Sequence, residues 1–292
     1  MHLWMVVFSV LIGIGVRWFI LYSNGDRFTD GDVQPGDSQY EWRILSAFLI
    51  PPLLLLATAS ALLQMGTTGT MLGVPVGRIG FVLGLGFLSS AGGLALYLGF
   101  QGWRSLQQVR TYPCITIDGY SARILETELP FAGQVGFWNP ELVVSQALLD
   151  VLTPEQVAAV LAHEDAHAHY HDTFWFFWLG WLRSFTGWLP QTQTLWQELL
   201  LLREIRADRW ATQVQSVDPL VLAESLLHVV RLSSRSVPIN CAAFHLLSST
   251  HRLTVRVNAL LASSDNQTPT SAHFPWQFCI VWWPLLAIAL HH

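Results

Sequence analysis

The sequence contains no lysine: all 15 of its basic residues are arginine. Without a lysine amine the chain has neither the phosphate-binding lysine of a P-loop nor a Schiff-base nucleophile. Charge of either sign is scarce, at 12% of residues, and the balance is a formal net −5. No basic surface is available to follow a phosphate backbone, which argues against direct nucleic-acid binding. Cysteine is scarce too. Cys114, Cys241 and Cys279 are odd in number, scattered and never spaced CxxC, so they indicate neither a disulfide framework nor a thiolate zinc site. They read as packing residues.

The chain is rich in apolar length instead, with 52% hydrophobic residues in 292. That exceeds what a soluble core needs. Residues 3–22, 44–65 and 79–100 each reach the roughly 20 apolar residues that cross a bilayer, so residues 1–103 are expected to form a membrane domain of three spans. The first segment is read as a retained span, because it has no basic n-region, carries Arg17 late and lacks a small-x-small cleavage site. Arg27, Arg43, Arg104 and Arg110 flank the first and third connections, while only Arg78 lies in the second. The positive-inside rule then puts the N-terminus outside and the residues after Phe100 in the cytoplasm, with Arg17 snorkelling toward the cytoplasmic end of its span. Gly80, Gly84, Gly86, Gly92 and Gly93 either let neighbouring backbones approach or reflect the ordinary frequency of glycine in membrane helices. Residues 273–292 hold a last apolar segment, 276–290, that reads as a hydrophobic anchor or a short fourth span.

Between these, residues 104–272 have a different periodicity. Cys114 to Asp118 and Ala122 to Glu126 alternate about an Asp118-Gly119 turn and predict a β-hairpin. Phe131 to Val135 and Glu141 to Ser145 predict further strands. Thr153-Pro154-Glu155-Gln156 then combines an N-cap threonine, a proline at the first helical position and a capping-box glutamine, predicting a helix that runs to about Asp172.

That helix carries His163-Glu164-Asp165-Ala166-His167, an HExxH motif. Two imidazoles four residues apart project from one face and can bind one zinc ion, with Glu164 beside them as the base for a metal-activated water. A catalytic zinc needs a third protein ligand, for which Glu204 in Leu201-Leu202-Arg203-Glu204-Ile205-Arg206-Ala207-Asp208 is the candidate. Asp208, one turn on, would orient a ligand histidine through its other ring nitrogen. The alternative is that Glu204 and Asp208 pair with Arg203, Arg206 and Arg209 on a solvated face. His167 and His171 also have ligand spacing, but only the first pair encloses a glutamate next to a ligand. His171 is assigned a polar contact near the membrane surface, and Asp172 is read either as orienting a neighbouring group or as interacting with the segment that follows it. Glu141 to Ser145 is read either as an exposed edge strand able to pair with an extended substrate or as an ordinary sheet strand. His251 and Arg256 are candidates for holding the transition-state oxyanion, the alternative being a place on a helix surface.

The aromatic run at 174–190 looks like a further span, yet a single crossing would separate Glu204 from the two histidines. Two crossings would need about 40 residues, more than lie between these ligands. With Arg183 in its middle, the segment is expected to lie along or dip into the membrane interface, with Trp175, Trp178, Trp181 and Trp188 at headgroup level. The metal cleft would then open close to the bilayer.

Together the Leu129-Pro130-Phe131-Ala132-Gly133, Asn139-Pro140-Glu141-Leu142-Val143-Val144-Ser145, HExxH, Glu204-Ile205-Arg206-Ala207-Asp208 and Arg256-Val257-Asn258-Ala259-Leu260 stretches resemble the BlaR/MecR-type bacterial membrane zinc metallopeptidases. The resemblance implies one Zn2+ on His163, His167 and Glu204, with Glu164 as base, in a cytoplasmic domain held by flanking spans in the inner membrane. It also implies a protein substrate, such as a cytoplasmic transcriptional repressor. The extracellular β-lactam-binding domain of the sensor members is expected to be absent, so antibiotic sensing does not carry over. Prenyl-protein and heat-shock membrane proteases share the two motifs, the latter with a helical hairpin between them that the short interval here disfavours. The expected architecture is a mainly α, multi-span membrane protein with a small α+β zincin-like peptidase domain. Membrane-protein quality control, or a silent zinc-stabilised scaffold, are the alternative roles.

Overall fold

A computed structural model describes residues 2–22, 38–67, 70–71, 74–75, 78–235, 252–261 and 280–286. The chain divides into two compact units, one made of Met1–Leu98, Leu179–Leu199 and Thr268–His292, the other of Gly99–Trp178 and Leu200–Gln267.

The first unit is helical. Helices α1 (His2–Tyr22), α2 (Ser38–Met65) and α3 (Arg78–Val109) are each long and apolar enough to cross a membrane. α2 begins six residues before the expected span and α3 continues nine beyond it, because helix-compatible polar residues prolong the helix past the apolar stretch. Between α2 and α3 lies a two-residue ladder of β1 (Thr70–Met71) and β2 (Val74–Pro75). α1 packs on α2, where the hydroxyls of Ser9 and Thr58 lie 2.6 Å apart in a hydrogen bond and Gly13 leaves room for Pro51. Gly84 lies against the Ala59 carbonyl, the close approach expected of small residues, whereas Gly86, Gly92 and Gly93 face open space.

Arg17 does not snorkel. It is 3% exposed, and its guanidinium donates to the Ala47 carbonyl at 3.0 Å, the Pro190 carbonyl at 2.6 Å and the Thr192 hydroxyl at 2.8 Å. Acceptors supplied by neighbouring segments, among them the Ala47 carbonyl that Pro51 leaves without a helical donor, satisfy the charge inside the fold. The Pro190 carbonyl belongs to a tight turn between α6 (Asp172–Thr186) and α7 (Thr192–Gln213). The halves of these helices nearest the turn run side by side, with Arg183 donating to Gln193 Oε1 and lying over the Trp196 ring at 5.3 Å. A helical hairpin therefore does lie between the two motifs. The interval is too short for two full crossings, but it accommodates a hairpin of shorter arms. At the other end of the chain, residues 280–282 form a 3-10 turn leading into α10 (Trp283–Leu286), and the rest of the expected anchor lies outside the described residues.

The second unit is α+β. Strands β3 (Cys114–Ile117), β4 (Tyr120–Leu125), β5 (Ala132–Val135) and β6 (Glu141–Ser145) form a sheet in the order β3-β4-β6-β5. β3 and β4 make the expected hairpin, and Asp118 and Gly119 both adopt positive φ at its turn, the conformation Asp-Gly favours. Of the two readings of Glu141 to Ser145, the ordinary sheet strand holds and the exposed edge does not: β6 pairs with β4 in parallel and with β5 antiparallel. Its consecutive Leu142, Val143 and Val144 are all buried, the pattern of a strand covered on both faces. β5 is the edge on that side.

Helix α4 (Gln146–Val151) follows β6, and α5 (Pro154–His169) starts at Thr153 with both hydrogen bonds of the expected capping box. α5 ends at His169, three residues before Asp172. Tyr170 caps it, and His171 at φ 53° reverses the chain so that Asp172 opens α6 instead of closing α5. One face of α5 sends Val157, Val160 and Leu161 into a core with Ala122, Ile124, Leu142, Val144, Leu148 and Leu152. Its opposite face packs Ala159 and Ala162 on Ala211 of α7, Leu222 and Ala223 of α8 (Pro219–Arg235), and Leu260 of α9 (252–261). Small alanines bring these helices close and fix α5 between a sheet and a helical layer.

Candidate metal centre

The buried centre of the second unit is polar where α5, α6, α7 and α9 meet. His163, Glu164 and His167 are 5, 8 and 8% exposed. The two imidazoles stand at 89° with centroids 4.9 Å apart. Glu204, from the second half of α7, reaches both: Oε2 lies 3.4 Å from His163 Nε2 and Oε1 lies 3.8 Å from His167 Nε2. One ligand atom from each of the three residues lies within 4.8 Å of the others. Ligand atoms about 2.1 Å from a tetrahedral zinc stand about 3.4 Å from one another, so the set closes on an ion with small side-chain adjustments.

The opposite ring nitrogens are held by buried carboxylates. His167 Nδ1 hydrogen-bonds Asp172 Oδ2 at 2.8 Å, and His163 Nδ1 lies 2.9 Å from Asp208 Oδ1, a close charge contact with an oblique approach to the ring N–H. Both aspartates are 2% exposed. Carboxylates on Nδ1 favour the tautomer that leaves Nε2 free, which suits a metal at the point where both Nε2 atoms face Glu204. The donor set therefore fits Zn2+: two imidazoles and a carboxylate, with two further carboxylates behind the rings.

Arginines surround these acids. Arg256 donates to Asp208 through two bonds of 2.8 and 2.7 Å and lies 3.2 Å from Glu204. Arg203 donates to Glu204 at 3.0 and 2.7 Å while covering the Phe176 ring, and Arg206 joins Asp172. Burial by itself would raise the Glu204 carboxyl, but His163, Arg256 and Arg203 hold it well below the usual carboxylate range. The same contest at Asp208 is won by Arg256 and His163, which lower it. At His163 burial would lower the imidazole, but Asp208 and Glu204 outweigh it and push it up to about 9. Without a metal, the proton on His163 is the cation these carboxylates hold.

Every described residue expected at the site is here except that Arg256 takes a different place. Its guanidinium binds Asp208 and Glu204 and so buttresses the ligand set. His251 lies outside the described residues. The alternative of a solvated acidic face is overturned for Asp208, which is buried, while Glu204 both faces the histidines and pairs with Arg203. His171 is exposed and beyond the end of α5, so it makes no second ligand pair with His167. Of the two roles open to Asp172, the structure favours the orienting one, since its carboxylate holds His167 Nδ1. Sequence reasoning misses Arg256 as a partner of Glu204, whereas the pairing of Arg203 with Glu204 is the one offered as the alternative, here formed beside the histidines. A signal exists for Arg256, which falls on the same helical stripe as Leu253, Val257 and Leu260 and must therefore face inward.

Gln134 of the edge strand β5 donates to the Glu164 carbonyl at 3.1 Å, tying the strand to the metal-binding helix. Beside it a cavity of about 350 Å³ opens between sheet and helix, lined among others by Gln134, Leu142, Asp165 and Ala168.

The arrangement agrees with what comparison of the sequence finds. Residues 130–200 match the family model of peptidase family M48. The matched stretch is about a quarter of the chain and includes β5, β6 and all of α5 with His163, Glu164 and His167, but stops before Glu204. It supports a metallopeptidase of a membrane type and does not single out the BlaR/MecR group. No curated protein and no solved structure matches the chain.

Proposed function

We propose that the chain is a membrane-bound zinc endopeptidase in which His163, His167 and Glu204 hold the metal and Glu164 is the catalytic base. The observation that carries this reading is the convergence of three ligand atoms from two helices with a carboxylate behind each ring. A zinc ion held there would supply Lewis acidity to a water and to the scissile carbonyl. Glu164, next in sequence to a ligand and buried beside it, takes the water's proton on its carboxylate and returns it to the departing amine nitrogen. Asp172 and Asp208 keep the imidazoles oriented. Arg203 and Arg256 keep Glu204 ionised and in place. The outer edge of β5 has no strand partner among the described residues, and an extended substrate pairing there would run past Glu164.

The substrate in this reading is a protein reached from the cytoplasmic side, such as a transcriptional repressor. Support comes from the arginines flanking the first and third connections and from the resemblance to regulatory membrane peptidases. The 174–190 region is read as dipping into the membrane interface.

The test is purification in detergent with metal analysis, followed by proteolysis of an unfolded protein and a candidate repressor by wild type and Glu164→Gln. The expected result is one zinc per chain in both and cleavage by wild type alone. Zinc-loaded wild type that cleaves neither substrate refutes the peptidase and leaves the scaffold role. Cleavage of the unfolded protein but never of a folded repressor favours quality control.

A further inference from the structure

The loop joining β5 to β6 carries Phe137 and Trp138, and α6 opens with Phe174, Trp175, Phe177 and Trp178. Phe137 is the hub: its ring centroid lies 4.9 Å from Phe174, 5.0 Å from Phe177 and 6.3 Å from Trp178, while Trp138 lies 4.7 Å from Phe174. Gly136 makes this possible. Its φ of 137° is open to glycine alone, and a Cβ there would meet the Pro140 backbone at 3.0 Å. The rings that pack inward leave three tryptophans facing out, with Trp138, Trp175 and Trp178 at 71, 58 and 38% exposed. No ionisable residue occurs from Leu129 to Pro140 or from Thr173 to Leu182.

An exposed patch built mainly of tryptophan, fixed by its own packing and empty of charge, is unusual on a soluble surface. Its continuation says what covers it. α6 runs without a break into residues grouped with the candidate spans, where Trp181 Nε1 donates to the Ala91 carbonyl of α3 at 2.8 Å and Phe185 meets Phe87 edge-on at 5.5 Å. Tryptophan, with an apolar body and one N–H donor, is the residue that prefers the boundary between headgroups and acyl chains.

We propose that the β5–β6 loop and the first half of α6 form a single aromatic docking surface whose occupant is the headgroup region of the bilayer. The second unit is thereby held to lipid by Trp138 as well as by its chain connections. The aromatic residues that form the patch carry no charge of their own, so docking to a neutral lipid surface is expected. The proposal rests on α1 to α3 being spans.

The test uses the full chain with Cys114→Ser, Cys241→Ser and Cys279→Ser, carrying one new cysteine at a time: Trp138→Cys, Glu155→Cys or Leu85→Cys. Glu155 lies in the first turn of α5, a helix length away from α6, and Leu85 is an exposed residue within the α3 span. Each variant is nitroxide-labelled in phosphatidylcholine nanodiscs and its access to oxygen and to a water-soluble nickel chelate is measured. The Trp138 label is expected to show nickel access about threefold or more below that of Glu155, with raised oxygen access, at headgroup depth. Equal nickel access at Trp138 and Glu155 overturns the proposal while leaving the spans intact. A water-exposed Leu85 label overturns the spans and the proposal with them. Protection of Trp138 that develops only when an unfolded protein is added marks a substrate surface and also overturns it.

Discussion

Asp172→Asn separates the metal reading from simple packing. Asp172 is 2% exposed and accepts twice, from His167 Nδ1 on one oxygen and from Arg206 on the other. Asparagine has the same shape but a single acceptor oxygen. If that oxygen keeps Arg206, the amide NH2 faces His167 Nδ1 and favours the tautomer with its proton on Nε2, the atom required by the metal. If it keeps His167, the negative charge that makes the imidazole a better ligand is still lost. Loss of such a partner weakens metal binding by roughly 10- to 100-fold, equivalent to about 1.4 to 2.8 kcal/mol. Arg206, with its side chain 42% exposed, is left in reach of water, so the metal-free fold is little disturbed. Competition of the detergent-solubilised protein against a zinc chelator at fixed pH reads the shift. Zinc affinity of the Asp172→Asn protein within twofold of wild type refutes the assignment of His167 as a ligand oriented by this carboxylate.

Zinc affinity should depend on pH through His163. Its pKa is raised from 6.5 to about 9 in the metal-free protein, so the proton stabilises that fold fully below about 6.5 and this contribution fades as pH rises through about 9. Zinc must displace this proton, and log K is expected to climb by about one per pH unit across that window, then level; a flat profile in isothermal titrations contradicts the placement of His163. Arg256→Met removes a buried cation from two carboxylates, with an expected loss of about 3 to 5 kcal/mol in denaturant unfolding of the metal-free protein, part of it restored by zinc at the same cluster. Thr153→Ala breaks the capping box of α5 and should destabilise by about 1 kcal/mol, without changing the zinc stoichiometry measured on the folded protein.

The sequence shows the site's outline because its signals are local. Thr153, Pro154 and Gln156 fix where α5 begins, and the four-residue spacings of His163 with His167 and of Glu204 with Asp208 follow from helix geometry alone. Three apolar runs delimit α1, α2 and α3 within a few residues at most ends. What escaped depends on distant partners. β6 is interior because β4 pairs with it in parallel across an intervening strand, which alternation along one segment does not reveal. Arg17 is buried because the carbonyl of Pro190, far along the chain, comes to it. Asp172 meets His167 only because the chain reverses at His171, at a positive φ uncommon outside glycine, so a helix continued to Asp172 hides the contact. Arg256 gains its role from the carboxylates that α7 brings beside α9.

In the proposed function two histidines of α5 and one glutamate of α7 hold a single zinc ion. Metal analysis of the purified chain against Glu204→Ala, with circular dichroism to verify helix content, tests it most directly. About one zinc per wild-type chain and strongly reduced occupancy in the folded variant are expected; equal zinc content in the two would contradict this ligand set.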